Sequence, residues 1–82
     1  MNEVRRFGYD PDKSGAVREE IITLFQFRGH VSIPYSIIED VGDSHIREDG
    51  YEYALTLALD LADRYGWIND EKNERFVKVY KS

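Results

Sequence analysis

The two histidines and sixteen carboxylates are the side chains of this sequence that catalysis or metal binding would use. Neither His30 nor His45 belongs to an HxxxH or ExxH spacing, which would place two ligands on one face of a helix. The absence of cysteine excludes disulfides, thiolate metal sites and a cysteine nucleophile. A glycine-rich phosphate loop and a nucleophile elbow are also absent from the sequence. We therefore expect no enzyme activity, no metal, no cofactor and no small-molecule substrate.

Lysine and arginine are the residues that would bind phosphate, and here 11 of them stand against 16 carboxylates, giving a net charge of −5. Because binding to nucleic acid relies on cations that neutralise the backbone, this balance opposes it, although a local basic patch can override a net figure. Arg5 and Arg6 form the one adjacent pair of cations. Near the C-terminus, Lys72, Arg75, Lys78 and Lys81 are diluted by Asp70, Glu71 and Glu74.

The length of 82 residues predicts one domain, too small for two cores. No apolar run approaches the roughly 18 residues that a membrane span needs. The N-terminal arginines are not followed by the apolar block of a signal peptide. Since a chain without cysteine is also compatible with a reducing compartment, we expect a cytoplasmic protein.

The first half of the chain predicts an arm, a helix, a brief strand and a short helix. Residues 1–13 are expected to form a flexible arm, because glycine and the Asp10-Pro11-Asp12 turn break regular structure. Ser14 is the predicted N-cap of a helix that ends at Gly29. A strand over residues 30–34 and a helix from Tyr35 to Val41, closed by Gly42, follow. Residues 43–50 form a polar connection that Ile46 fixes to the core.

The second half predicts a long helix and a β-hairpin. Helical periodicity extends from Gly50 to Gly66, and the strand that follows begins with Trp67 and Ile68. Residues 69–74 are turn-forming, and the alternation of RFVKVYK predicts the second strand. If Val77 and Val79 point inward, then Phe76, Lys78 and Tyr80 share the outer face.

This order of elements resembles the winged helix-turn-helix family over about residues 14–81. The resemblance implies an α+β fold of three helices with a C-terminal β-hairpin. This chain differs from the family in two respects. The connection over residues 43–50 is longer than a tight turn, and the long helix is poor in residues that read bases. The matching residues are Gly29-His30-Val31-Ser32-Ile33, Ile38, Val41-Gly42, Leu55, Ala58, Leu59, Ala62 and Gly66-Trp67-Ile68.

The resemblance implies a DNA-binding transcriptional regulator, acting as a dimer, with the long helix in the major groove. Its binding would weaken steeply as salt rises. On this hypothesis the contacts to DNA are made by Ser44, His45 and Arg47 at the start of the long helix, by Lys72, Arg75 and Lys78 on the hairpin, and by Arg5 and Arg6 in an adjacent groove.

The long helix itself supports a second hypothesis, a protein-interaction module that does not bind DNA. Its two apolar stripes are Leu55, Ala58, Leu59 and Ala62, predicted to be buried, and Ala54, Leu57, Leu61 and Tyr65. The second stripe is either fully buried or left for a homodimer or another protein. In the latter case Leu57, Leu61 and Tyr65, ringed by Glu52, Asp60 and Asp63, would bind or inhibit a basic partner such as a polymerase or nuclease subunit. The fold resemblance favours the regulator slightly.

Overall fold

This computed structural model describes residues 11–79, which contain three α helices, three short β strands and one 3-10 turn. The α+β class, with three helices and a C-terminal hairpin, is therefore confirmed. Arg5, Arg6 and most of the predicted arm lie outside the described residues. No helix within residues 11–79 has the length and apolar character needed to cross a membrane. The elements are α1 (Pro11–Gln26), β1 (Ser32–Pro34), α2 (Tyr35–His45), α3 (Gly50–Arg64), β2 (Trp67–Asp70), a 3-10 turn (Glu71–Asn73) and β3 (Arg75–Lys78).

The first helix, α1, begins at Pro11, three residues before the predicted N-cap. Proline suits the first turn of a helix because its φ angle is already helical and its missing N–H would have no partner there. Ser14 lies inside α1 and is only 1% exposed, so its prediction as the N-cap is wrong. Val17, Ile21 and Phe25, spaced four residues apart, form the buried face of α1.

The second helix, α2, continues to His45 and does not end at Gly42 as predicted. Gly42 is buried inside the helix, where its missing side chain lets α3 approach. The connection between the two helices therefore consists of residues 46–49 only. The prediction of a connection longer than a tight turn is wrong. Ile46, 6% exposed, fixes this turn to the core as expected.

The strands form an antiparallel sheet in the order β1-β3-β2, so β1 joins the hairpin. Phe76 on β3 is fully buried, whereas Val77 is partly exposed and Val79 is 40% exposed. The condition that the two valines point inward is therefore not met, and Phe76 does not lie on the outer face. The larger Phe76 ring takes the core side, with its centroid 5.5 Å from that of Phe25 and 5.3 Å from that of Tyr35.

Trp67 joins the hairpin to the helices. Its indole Nε1–H donates a buried hydrogen bond of 2.9 Å to the carbonyl oxygen of Phe25 near the end of α1. The two rings also pack with their centroids 5.3 Å apart. Only Tyr65 and Gly66 separate α3 from β2, and β2 packs beside the C-terminal half of α3.

Candidate functional site

The core side of α3 includes most of the stripe that sequence reasoning offered to a partner. Ala54 and Leu57 are fully buried and Leu61 is 1% exposed, while Tyr65 is partly buried against the core. The prediction of Leu57 and Leu61 as protein-interface residues is therefore wrong for this fold. The physical reason is that α1, α2 and β2 all pack against α3 and together cover more than one side of it.

The exposed side of α3 carries three carboxylates and two leucines. Glu52, Asp60 and Asp63 are exposed, as expected. Leu59, which was predicted to be buried, is 47% exposed, and Leu55 is partly buried beside it. We call these five residues, which share one side of the helix, the acidic face.

Most of the negative charge on the acidic face is unpaired. Arg64 is the single cation of α3, and its Nη2 lies 3.5 Å from Oδ2 of Asp60 in a solvent-exposed pair of the kind that contributes about 0 to 1 kcal/mol. Glu52 and Asp63 form no ion pair within residues 11–79. The face therefore presents a negative potential to solvent.

An open groove runs beside the acidic face, between α3 and β2. Ile68 on β2 is 58% exposed and Leu59 on α3 is 47% exposed, so both sides of the groove offer apolar surface. Asp63 and Asn69 supply its polar groups. The lining residues are Leu59, Ala62, Asp63, Trp67, Ile68 and Asn69.

Two of the predicted DNA contacts at the start of α3 instead belong to the end of α2. The Ser44 hydroxyl donates a hydrogen bond of 2.8 Å to the carbonyl oxygen of Val41, one turn earlier. Nε2 of His45 lies 2.7 Å from Oε1 of Glu20 and so links α2 to α1. Arg47 is exposed in the turn that follows. Ser44 and His45 therefore have structural partners within the fold.

The predicted cations of the hairpin are also partly used within the fold. Nε of Arg75 donates to Oδ2 of Asp70 at 2.9 Å, and Nζ of Lys78 lies 5.5 Å from the centre of the Trp67 ring. Lys72 is exposed on the 3-10 turn and, like Arg47, forms no ion pair with any residue of the described range. The structure places Arg75 and Lys78 at the two ends of β3, Lys72 on the 3-10 turn and Arg47 in the turn between α2 and α3.

A polar network that sequence reasoning missed holds the hairpin turn. The Tyr35 hydroxyl donates to Oδ1 of Asn69, 34 residues along the chain, and burial raises the pKa of Tyr35. Asp70 accepts hydrogen bonds from Asn73 and Arg75, and these hydrogen bonds lower the pKa of Asp70. Tyr35 begins α2 and Asn69 lies on β2, so the bond between them is long-range and the local sequence gave no signal of it.

Comparison with known proteins found no matching family model, curated protein or solved structure. Within the described range, no group of three or more His, Cys, Asp or Glu residues is arranged to hold a metal ion. The acidic face and the adjoining groove form the candidate functional site.

Proposed function

We propose that this chain is a non-enzymatic interaction module whose acidic face binds a basic surface of a partner protein. The observation that carries the proposal is the composition of the exposed side of α3, with three exposed carboxylates, the exposed Leu59 beside the partly buried Leu55, and one cation that is already paired. Apolar side chains supply the area that a contact needs, and carboxylates select for a partner of opposite charge.

The same face is poorly suited to a DNA groove. A carboxylate held about 4 Å from a phosphate is repelled by roughly 1 to 4 kcal/mol, depending on the effective dielectric. Release of counterions would offer little compensation, because α3 supplies Arg64 alone. His45, Arg75 and Lys78 also interact with Glu20, Asp70 and the Trp67 ring, respectively. These contacts within the fold compete with contacts to DNA phosphates.

A DNA-binding regulator is the second candidate, and the short connection between α2 and α3 favours it. Residues 46–49 replace the longer connection expected from sequence, and this removes one departure from the winged helix-turn-helix pattern. The order of helices and strands also agrees with that resemblance. In a complex with DNA, Arg47 and Lys72 would contact phosphates and α3 would lie in the major groove of the DNA.

The two functions are separated by neutralising the acidic face. One variant combines Glu52→Gln, Asp60→Asn and Asp63→Asn. Its control combines Glu19→Gln, Asp40→Asn and Glu48→Gln, which removes the same charge from exposed positions outside α3. Each protein is used to capture partners from a lysate of the source organism, and each is titrated with labelled duplex DNA of mixed sequence from low to high salt.

The interaction proposal expects a basic protein to be retained by the wild type and the control but lost by the acidic-face variant. It also expects no binding of the wild type to duplex DNA at low salt. Salt-sensitive binding of the wild type to duplex DNA, without a basic protein partner, would overturn the proposal and support the regulator.

A further inference from the structure

We infer that the partner segment is an amphipathic helix, with an apolar stripe flanked by lysine or arginine, that docks in the groove between α3 and β2. The inference rests on the proposed function and names the chemistry of its partner. Helices commonly bind in this way, with apolar residues at i, i+3, i+4 and i+7 inserted into a groove and a polar rim around them.

The two walls of the groove suit the apolar stripe of such a helix. Leu59 and Ala62, three residues apart, lie on one side of α3. Ile68 supplies the exposed apolar surface of the opposite wall, and Trp67, which is only 3% exposed, is held in place by its hydrogen bond to Phe25. A rigid wall costs little conformational entropy when a ligand binds.

The charges around the groove select a basic occupant over a second copy of this chain. Among the residues that the structure describes, Asp63 is the one charged residue that lines the groove, while Asp60 and Glu52 extend the negative surface along α3. The nearby Lys78 is engaged over the Trp67 ring, with its Nζ 5.5 Å from the ring centre. A symmetric dimer through this face would bring the same carboxylates towards their own copies, because two-fold contacts pair a surface with itself. Lysine and arginine at the flanks of a partner helix would instead complement them.

Within residues 11–79, β2 is an edge strand of the sheet, and its unpaired edge favours a helical partner over an added strand. The N–H of Val79 donates to the carbonyl oxygen of Gly66, so the backbone polar groups of Gly66 point towards β3. Because these groups alternate along a strand, those of Trp67 and Asn69 point towards the opposite edge. Trp67 is only 3% exposed, which leaves Asn69 as the accessible residue of that edge. One residue is too short a template for strand addition, so the partner is held by side chains in the groove.

The test uses a synthetic peptide of about 18 residues, long enough to form a helix, with leucines at i, i+3, i+4 and i+7 and lysines at the flanks. A second peptide has the same composition in an order that abolishes the stripe. Binding to the whole chain is measured at low salt by calorimetry. The variants are Leu59→Ser and Ile68→Ser, and their controls are Ile37→Ser and Val31→Ser, which change apolar residues of similar exposure (43% and 53%) outside the groove.

The striped peptide is expected to bind the wild type, and Leu59→Ser and Ile68→Ser are each expected to weaken it by roughly tenfold. The two control variants should bind like the wild type. Circular dichroism confirms that every variant is folded, which exposed positions favour.

Two results would overturn the inference. Equal binding of both peptides, unaffected by Leu59→Ser but weakened by neutralising the acidic face, would reject the groove and leave the proposed function standing. Failure of the striped peptide to bind any folded protein would reject the helical partner, whereas the proposed function is judged separately by the lysate and DNA experiments.

Discussion

Gly42 and Gly50 bring the backbones of α2 and α3 into direct contact. A Cβ atom added at Gly42 would overlap the carbonyl oxygen of Gly50 and lie 2.8 Å from the Cβ atom of Ala54. A Cβ atom added at Gly50 would overlap the carbonyl group of Gly42 in return. This reciprocal contact fixes how α3 crosses α2, and therefore which side of α3 is left for the acidic face.

The Gly42→Ala substitution is expected to destabilise the protein by about 2 to 3 kcal/mol, because the added methyl group overpacks against rigid backbone. Gly15→Ala is the matched control: it also lies inside a helix, but its added Cβ atom would have no neighbour within 4 Å. That control should be more stable than the wild type by about 0.5 to 1 kcal/mol. Urea unfolding followed by circular dichroism measures both values. Equal effects at the two positions would contradict the contact.

Leu57 and Leu59 should respond very differently to truncation. Leu57 is fully buried, so Leu57→Ala is expected to cost about 2 to 5 kcal/mol through lost burial and a residual cavity. Leu59 is 47% exposed, and Leu59→Ala should change the free energy of unfolding by no more than about 0.5 kcal/mol. Urea unfolding of the two variants gives the comparison. A larger loss at Leu59 would mean that α3 is rotated from the orientation described.

These two leucines also show what the sequence can and cannot predict. Periodicity predicted α3 and its bounds well, because a strong 3.6-residue pattern ends at glycine. It did not predict the orientation of the helix, since two apolar stripes together span more than half the circumference. Which of the two leucines is buried depends on where α1, α2 and β2 pack against α3. The prediction was accordingly right for the exposed carboxylates of the candidate site and wrong for Leu59, whereas Leu55 is partly buried and packs against the core.

Gly42 shows a similar ambiguity. A glycine after an apolar helical run is typical of a helix end, and the same residue is typical of a close helix contact. Local sequence does not separate the two cases, because the deciding partner is Gly50 on another helix. The pairing of β1 with β3 and the bond between Tyr35 and Asn69 are likewise long-range, so the local pattern contained no signal for them.

Asp43 caps the start of α3 from a neighbouring helix. Its Oδ1 accepts a hydrogen bond of 3.0 Å from the N–H of Tyr51, while Asp49, the N-cap residue, makes no side-chain capping bond. Asp43→Ala is therefore expected to cost about 0.5 to 2 kcal/mol, the usual range for a lost cap. Asp40→Ala, on an exposed position of α2, should cost much less.

Amide hydrogen exchange gives a local measurement of the same bond. The N–H of Tyr51 should exchange faster in Asp43→Ala than in Asp40→Ala, because it is one of the first amides of α3 and has no partner within that helix. Identical exchange of this amide in the two variants would show that Asp43 does not protect it.

Asp70 should make the stability of the hairpin turn depend on pH. Its Oδ2 accepts hydrogen bonds of 2.9 Å from Asn73 and 2.9 Å from Arg75, and the bond from Asn73, followed by that from Arg75, lowers the pKa of Asp70. Because the folded-state pKa is lowered, the stabilisation is present above the unfolded-state pKa, which is about 3.9 for aspartate. It is lost as the pH falls through the lower folded-state pKa.

The Asp70→Asn variant removes the titrating group, so its unfolding should lack this contribution. The urea midpoint of the wild type is expected to fall more steeply than that of Asp70→Asn between about pH 5 and pH 2. Asp40→Asn removes an exposed carboxylate from α2 and should follow the wild-type curve, which separates the bonds of Asp70 from the general effect of lowering negative charge. Parallel curves for the wild type and Asp70→Asn would contradict the role of Asp70, because a carboxylate that accepts two hydrogen bonds in the fold must release that stabilisation when it is protonated.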